Sequence, residues 1–174
     1  NTEPSSNKTE LFQNVIISFD NKLKFYFLKI IIFFQETKLT REISNLIING
    51  TREEQLMGTV FVRKLFTGED FPAKDVLKSK GLLKKFVEFL DCSEDKSLQL
   101  EASWIMLNMT AGLLPETKAV IDAGALPRLI KIIVDSTDED LQENALWAIA
   151  NIAGDSIELK DVLYMSNVLE PVSK

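Results

Sequence analysis

Leu98-Gln-Leu-Glu-Ala-Ser-Trp-Ile-Met-Leu-Asn108 and Leu141-Gln-Glu-Asn-Ala-Leu-Trp-Ala-Ile-Ala-Asn151 are one helix written twice. Ala102 and Ala145, Trp104 and Trp147, and Asn108 and Asn151 each stand 43 residues apart. In both copies a Trp precedes an Asn by four residues, which puts the two side chains on one helical face. Stacked copies would display two parallel Trp/Asn pairs.

The same register runs through the shorter helices. Ile43, Leu46 and Ile47 recur as Phe86, Phe89 and Leu90 and again as Leu129, Ile132 and Ile133, while Gly81 recurs as Gly124 at a sharp inter-helix bend. An all-helical repeat of this length predicts an all-α fold, a right-handed α-solenoid of armadillo or HEAT type with three helices per unit. The expected units are a partial one over 39–68, full ones over 73–112 and 115–154, and the start of a fourth over 156–174. In the full units the pattern is a short helix, a second helix, a polar turn and a long helix. The long helices cover roughly Asp95–Thr110 and the run to Ala153, with Gly154-Asp155 as the stop. Each unit buries its apolar face against the next, so the 39–174 region is read as one stacked domain, and the chain as a piece of a longer protein.

Residues 1–38 do not share the pattern. A polar lead-in is followed over 14–35 by an apolar stretch, in which Phe25–Phe34 is almost wholly apolar but broken by Lys29. A membrane span needs about 20 apolar residues, so a span is rejected. Two readings stand: a packing helix over the open end of the solenoid, or sequence translated from an intron of an AT-rich gene. Mature transcript in which this segment is continuous with its neighbours would remove the second.

Composition narrows the function. With 45% hydrophobic and 26% charged residues the chain can bury a globular core. A net charge of −6 argues against a nucleic-acid partner and for a basic ligand. The single cysteine, Cys92, allows no intrachain disulfide and fits a reducing compartment. The absence of histidine removes imidazole acid–base chemistry and most transition-metal sites. There is no nucleophile with a base, phosphate loop or metal-ligand cluster, so the expectation is a binding module: no enzyme, no cofactor, no metal.

Three helices per unit, Gly before the second and Trp-x-x-x-Asn on the third resemble the armadillo repeats of the importin-α (karyopherin-α) family. Trp147-Ala-Ile-Ala-Asn-Ile-Ala-Gly-Asp155 is similar to that family's third repeat, and Val62-Arg-Lys-Leu-Phe66 to the end of its first. The likeness covers about 39–174. It implies a nuclear import adaptor, shuttling between cytoplasm and nucleus, that binds Lys/Arg-rich localisation signals of cargo proteins in extended form. Trp104 and Trp147 would wall the signal's Lys and Arg stems. Asn108 and Asn151 would bond its backbone, and Asp155, with Thr117 and the Gly112 carbonyl, would accept a key lysine. Asn144 stands where the family more often carries the longer Gln, which implies a weaker contact to one lysine. The first unit has Phe61 and Leu65 where later ones have Trp and Asn. The resemblance also implies importin-β as a partner of the full-length protein, through a basic arm not seen here, and neither nucleic acid nor membrane. The alternative is an armadillo scaffold of β-catenin-like or vacuolar type that binds a different extended peptide.

The plainer readings are these. A lone Trp on a helix is more often core; its in-register recurrence with Asn favours display, because a buried Asn ladder would need partners for every amide. Asp155 alone could be a solvated acid and Thr117 a helix-start residue. Glu101 and Glu143 add negative potential or simply face solvent. Asp138-Glu139-Asp140 reads as the charged first turn of a helix.

Overall fold

The structure, a computed structural model, describes residues 39–67, 72–155 and 160–161. The chain divides into two units, Asn1–Thr37 and Lys38–Lys174. The first lies wholly outside the described residues, as do the apolar 14–35 stretch and all but residues 160–161 of the expected fourth repeat.

Eight helices follow in the second unit among the described residues: α1 (Arg41–Asn49), α2 (Arg52–Leu65), α3 (Ala73–Lys78), α4 (Leu82–Phe89), α5 (Lys96–Thr110), α6 (Leu114–Asp122), α7 (Ala125–Asp135) and α8 (Glu139–Asp155). They stack as three ladders of like helices. The long helices α2, α5 and α8 pack in series, α1 packs on α4, and α3 packs on α6. This is an all-α solenoid of three-helix repeats. The repeated apolar positions form its core: Ile43, Ile47, Phe86, Phe89, Leu90, Leu129 and Ile132 are buried, while Leu46 and Ile133 are half-buried.

Backbone chemistry sets the bends. Gly81 and Gly124 both hold φ at 84°, the left-handed region, immediately before α4 and α7. Side-chain caps start the long helices. Thr51 accepts from the Glu54 amide at 3.3 Å while the Glu54 carboxylate accepts from the Thr51 amide at 2.8 Å, a reciprocal capping box. Asp95 caps α5 by accepting from the Leu98 amide at 3.0 Å, and Asp138 caps α8 by accepting from Leu141 at 3.1 Å.

The caps expose two departures from the expected register. Asp95 and Asp138 keep the 43-residue spacing, but Thr51 precedes Asp95 by one residue more, because Thr51 follows Ile47 by four positions where Asp95 and Asp138 follow Leu90 and Ile133 by five. Burial follows the caps: Gly58, Thr59, Phe61, Val62 and Phe66 are buried as Ala102, Ser103, Ile105, Met106 and Thr110 are in α5. Phe61 therefore faces the core, and half-buried Val60 and exposed Lys64 occupy the positions of Trp104 and Asn108. The second departure is at Gly154-Asp155, where α8 runs through the expected stop. A helical Gly costs only about 1 kcal/mol relative to Ala, which the packing of α8 on α5 and α7 offsets.

Gly58 marks the closest approach of α1 and α2: a Cβ there would lie 2.5 Å from Cγ1 of the fully buried Ile47. Overpacking costs roughly 1–3 kcal/mol, more than the roughly 1 kcal/mol of helix propensity that Ala gains over Gly. Gly58→Ala is therefore expected to lower stability in urea unfolding. Gly81→Ala, whose Cβ meets nothing within 4 Å, should lose about 1–2 kcal/mol from the left-handed backbone alone.

Candidate functional site

The repetition of α5 and α8 brings two indoles to one surface. Trp104 is 41% and Trp147 56% exposed, so neither is core, although Ile105, Met106, Ala148 and Ile149 on the same helices are buried. Between them lies a cleft of about 350 Å³ lined by Trp104, Leu107, Asp140, Glu143, Asn144 and Trp147. Two indoles line it and its polar rim carries two carboxylates. The Trp147 indole N–H donates to Glu143 at 3.3 Å, which holds that ring against its own helix.

The two Asn residues bond differently, Asn108 within its own helix and Asn151 to the neighbouring repeat. Asn108, half-exposed, donates through Nδ2 to the Trp104 carbonyl at 2.8 Å, one turn back. Asn151, also half-exposed, reaches across to α5 with long contacts, 3.4 Å to the Leu107 carbonyl and 3.5 Å to Thr110 Oγ1. A carboxamide offers two donors and an acceptor, so each retains hydrogen-bonding capacity. Glu101 lies one turn before Trp104 and accepts from Arg63 Nε at 2.7 Å.

Asn144 and Thr117, both expected near a ligand's lysine, are buried. Asn144 is only 4% exposed and donates to Ser103 Oγ at 3.0 Å, so it forms the cleft's floor and ties α8 to α5. Thr117 is fully buried and donates to the Thr110 carbonyl at 3.4 Å, which fastens α6 to the last turn of α5 around Gly112. In both cases the side chain spends its donor inside the fold. Gly112 itself is half-exposed in the α5–α6 turn.

Asp155 ends α8 half-buried, and its Oδ2 is buried with no hydrogen-bond partner among the described residues. An unsatisfied buried acceptor costs about 1–3 kcal/mol, more when charged, and calls for an explanation. Glu116 Oε2 on α6 has the same status. Sequence reasoning missed Glu116 and the cleft role of Asp140. The second had a legible signal: Asp140 precedes Trp147 by seven residues, two helical turns on one face.

The arrangement can grip an extended side chain. Among the described residues no group of three or more potential metal ligands occurs, and no helix is long and apolar enough to cross a membrane. Two aromatic walls, a carboxylate rim and unspent amides suit a long aliphatic stem ending in a cation.

Comparison with known proteins gives the same architecture. The family model for the Armadillo/beta-catenin-like repeat matches residues 115–154. Importin subunit alpha-1b of Oryza sativa subsp. japonica is 36% identical over 118 residues, 68% of this chain and 22% of that protein. Importin subunit alpha of Saccharomyces cerevisiae is 37% identical over 81 residues, 47% of this chain and 15% of that one. The matched region thus spans between 15% and 22% of the length of these curated relatives. Among solved structures, a designed armadillo repeat protein in complex with the peptide (KR)4 superposes with a TM-score of 0.68 at 26% identity, covering 76% of this chain and 54% of that chain.

Both indoles are expected to be readily quenched by acrylamide in the folded protein. Removing either Trp should leave the other's accessibility unchanged. A shielded population in the quenching curve would contradict the exposed placement.

Proposed function

We propose that this chain, an armadillo-repeat relative of the importin α subunits, binds Lys/Arg-rich nuclear localisation signals in extended form as part of a nuclear import adaptor that shuttles between cytoplasm and nucleus. The observation that carries the reading is the pair of exposed indoles, Trp104 and Trp147, flanking a cleft rimmed by Asp140 and Glu143. A Lys or Arg stem between two indoles gains roughly 0.5–2 kcal/mol by cation–π attraction, the upper end when desolvated. Adjacent helices pack about 8–10 Å apart and an extended peptide rises about 3.3 Å per residue, so two or three peptide residues match each repeat. Asn108 and Asn151 then meet the peptide backbone at that interval.

Asp155 supplies the lysine acceptor. Its unpartnered Oδ2 would gain the ion pair that the fold withholds, with the Gly112 carbonyl as a second acceptor. Thr117 and Asn144 serve from beneath: the first fixes the turn at Gly112, the second the spacing of the two Trp helices. In the longer protein the importin-β partner would engage an arm outside these repeats. An armadillo scaffold for another extended peptide remains the alternative, and the ligand's charge separates the two.

The test is titration of a Lys-Lys-x-Lys peptide followed by Trp fluorescence. Trp147→Ala should weaken binding about 3- to 30-fold, the range set by one cation–π contact. Asp155→Lys should weaken it further, and affinity should fall with salt. Binding indifferent to both substitutions would favour the alternative.

A further inference from the structure

The groove changes character at α2, the neighbour of α5 on the side opposite α8. Trp104 and Asn108 are replaced there by Val60 and Lys64, and Lys64 is exposed. Beside Lys64 stands Arg63, whose Nε donates to Glu101 Oε2 at 2.7 Å, with 28% and 19% of the two side chains exposed. Among the described residues this is the one pairing recorded for Arg63, and it leaves both terminal nitrogens of the guanidinium uncommitted. Glu101 lies one turn before Trp104 and fixes the guanidinium next to the first rung of the ladder. The cleft between α5 and α8 carries Asp140 and Glu143, and Asp155 ends α8, whereas the α2 edge carries two cations.

We propose that Arg63 is an anion-accepting subsite that ends the basic-binding groove. It takes the carboxylate of an Asp or Glu lying next to the ligand's Lys/Arg run and disfavours a run that continues basic. This deepens the signal-binding reading and rests on it. A guanidinium presents donors in a planar fork that matches a carboxylate, and one edge is free here. At about 3.3 Å per residue against 8–10 Å between helices, the acidic residue falls two or three positions beyond the one held at Trp104. Glu101 is a positioning residue: it holds the fork in place and leaves the terminal nitrogens to the ligand.

The experiment uses one core Lys-Lys-x-Lys peptide carrying, at either terminus, a Gly-Ser-Gly, Gly-Asp-Asp or Gly-Lys-Lys extension. Affinities are measured at low and high salt by Trp fluorescence. With the full chain, the acidic extension at one terminus should bind about 3- to 10-fold tighter than the basic one, the range of a partly exposed ion pair, and high salt should erase the difference. Arg63→Gln should abolish the preference and Arg63→Glu reverse it, with binding of the Gly-Ser-Gly peptide kept. Arg63→Lys, which keeps the charge and loses the fork, should retain a reduced preference and guards against a misfolded Gln variant. If the core peptide binds but the extension preference is absent, or is the same in Arg63→Gln, the subsite is overturned and Arg63–Glu101 is only a brace between repeats. If the core peptide does not bind, the signal-binding reading falls, and the subsite with it.

Discussion

The hydrogen bond from Asn144 Nδ2 to Ser103 Oγ, 3.0 Å long and buried, is the contact on which the site's geometry depends. A buried amide without a partner is costly, so this pair fixes both the separation and the axial register of α8 on α5. Sliding either helix by one residue would break it and turn a face by about 100°. The separation of Trp104 and Trp147 follows, since each lies on the same helix as one partner, within a turn of it. Asn151 repeats the tie two turns further along α8 with weaker contacts to Leu107 and Thr110. Thr117 does the same for the α5–α6 turn. The polar groups under the groove hold it to a width; the groups on its surface remain for a ligand.

Much of this was legible because a solenoid writes its structure periodically. The interval between the two Trp-x-x-x-Asn helices located α5 and α8, and the repeated glycines marked two bends whose backbone is left-handed at the same φ. The exposure of the indoles followed from their pairing with Asn, and no single residue of the four would have revealed it. Asn144 and Thr117 were harder. Their residue types are those of ligand contacts, and whether such a side chain points up or down turns on one neighbouring hydroxyl or carbonyl in another helix, which has no sequence period.

The slip at α2 was hidden for a different reason. Apolar residues on a fourteen-residue helix satisfy the 3.6-residue period in more than one rotation, so Phe61 could stand for Trp104 without violating the pattern. The signal that decides it is the capping box Thr51-Arg52-Glu53-Glu54, which fixes where the helix starts and therefore which face it buries. Read from the caps, the first unit is one residue out of step and carries Lys64 at the position of Asn108.

The charge distribution fits a groove with two ends. The chain is anionic as a whole, which draws a basic strand from any direction and gives no register. Register needs local asymmetry. Asp140, Glu143 and the unpartnered carboxylate oxygen of Asp155 lie on α8, while Arg63 and Lys64 stand on α2 with α5 between. A uniform anionic trough would let a Lys/Arg run slide by one repeat at little cost, because each rung offers the same indole and amide. For the proposed ligand, an acceptor left buried and unsatisfied at Asp155 would make the position of one cation worth more than its neighbours, since that cation would relieve the cost of burying it. An arginine edge beyond the first rung penalises the opposite slide. Specificity for a register, as for a partner, is a difference between states, and on the proposed binding mode the unpartnered carboxylate and the cationic edge would each widen it from one side.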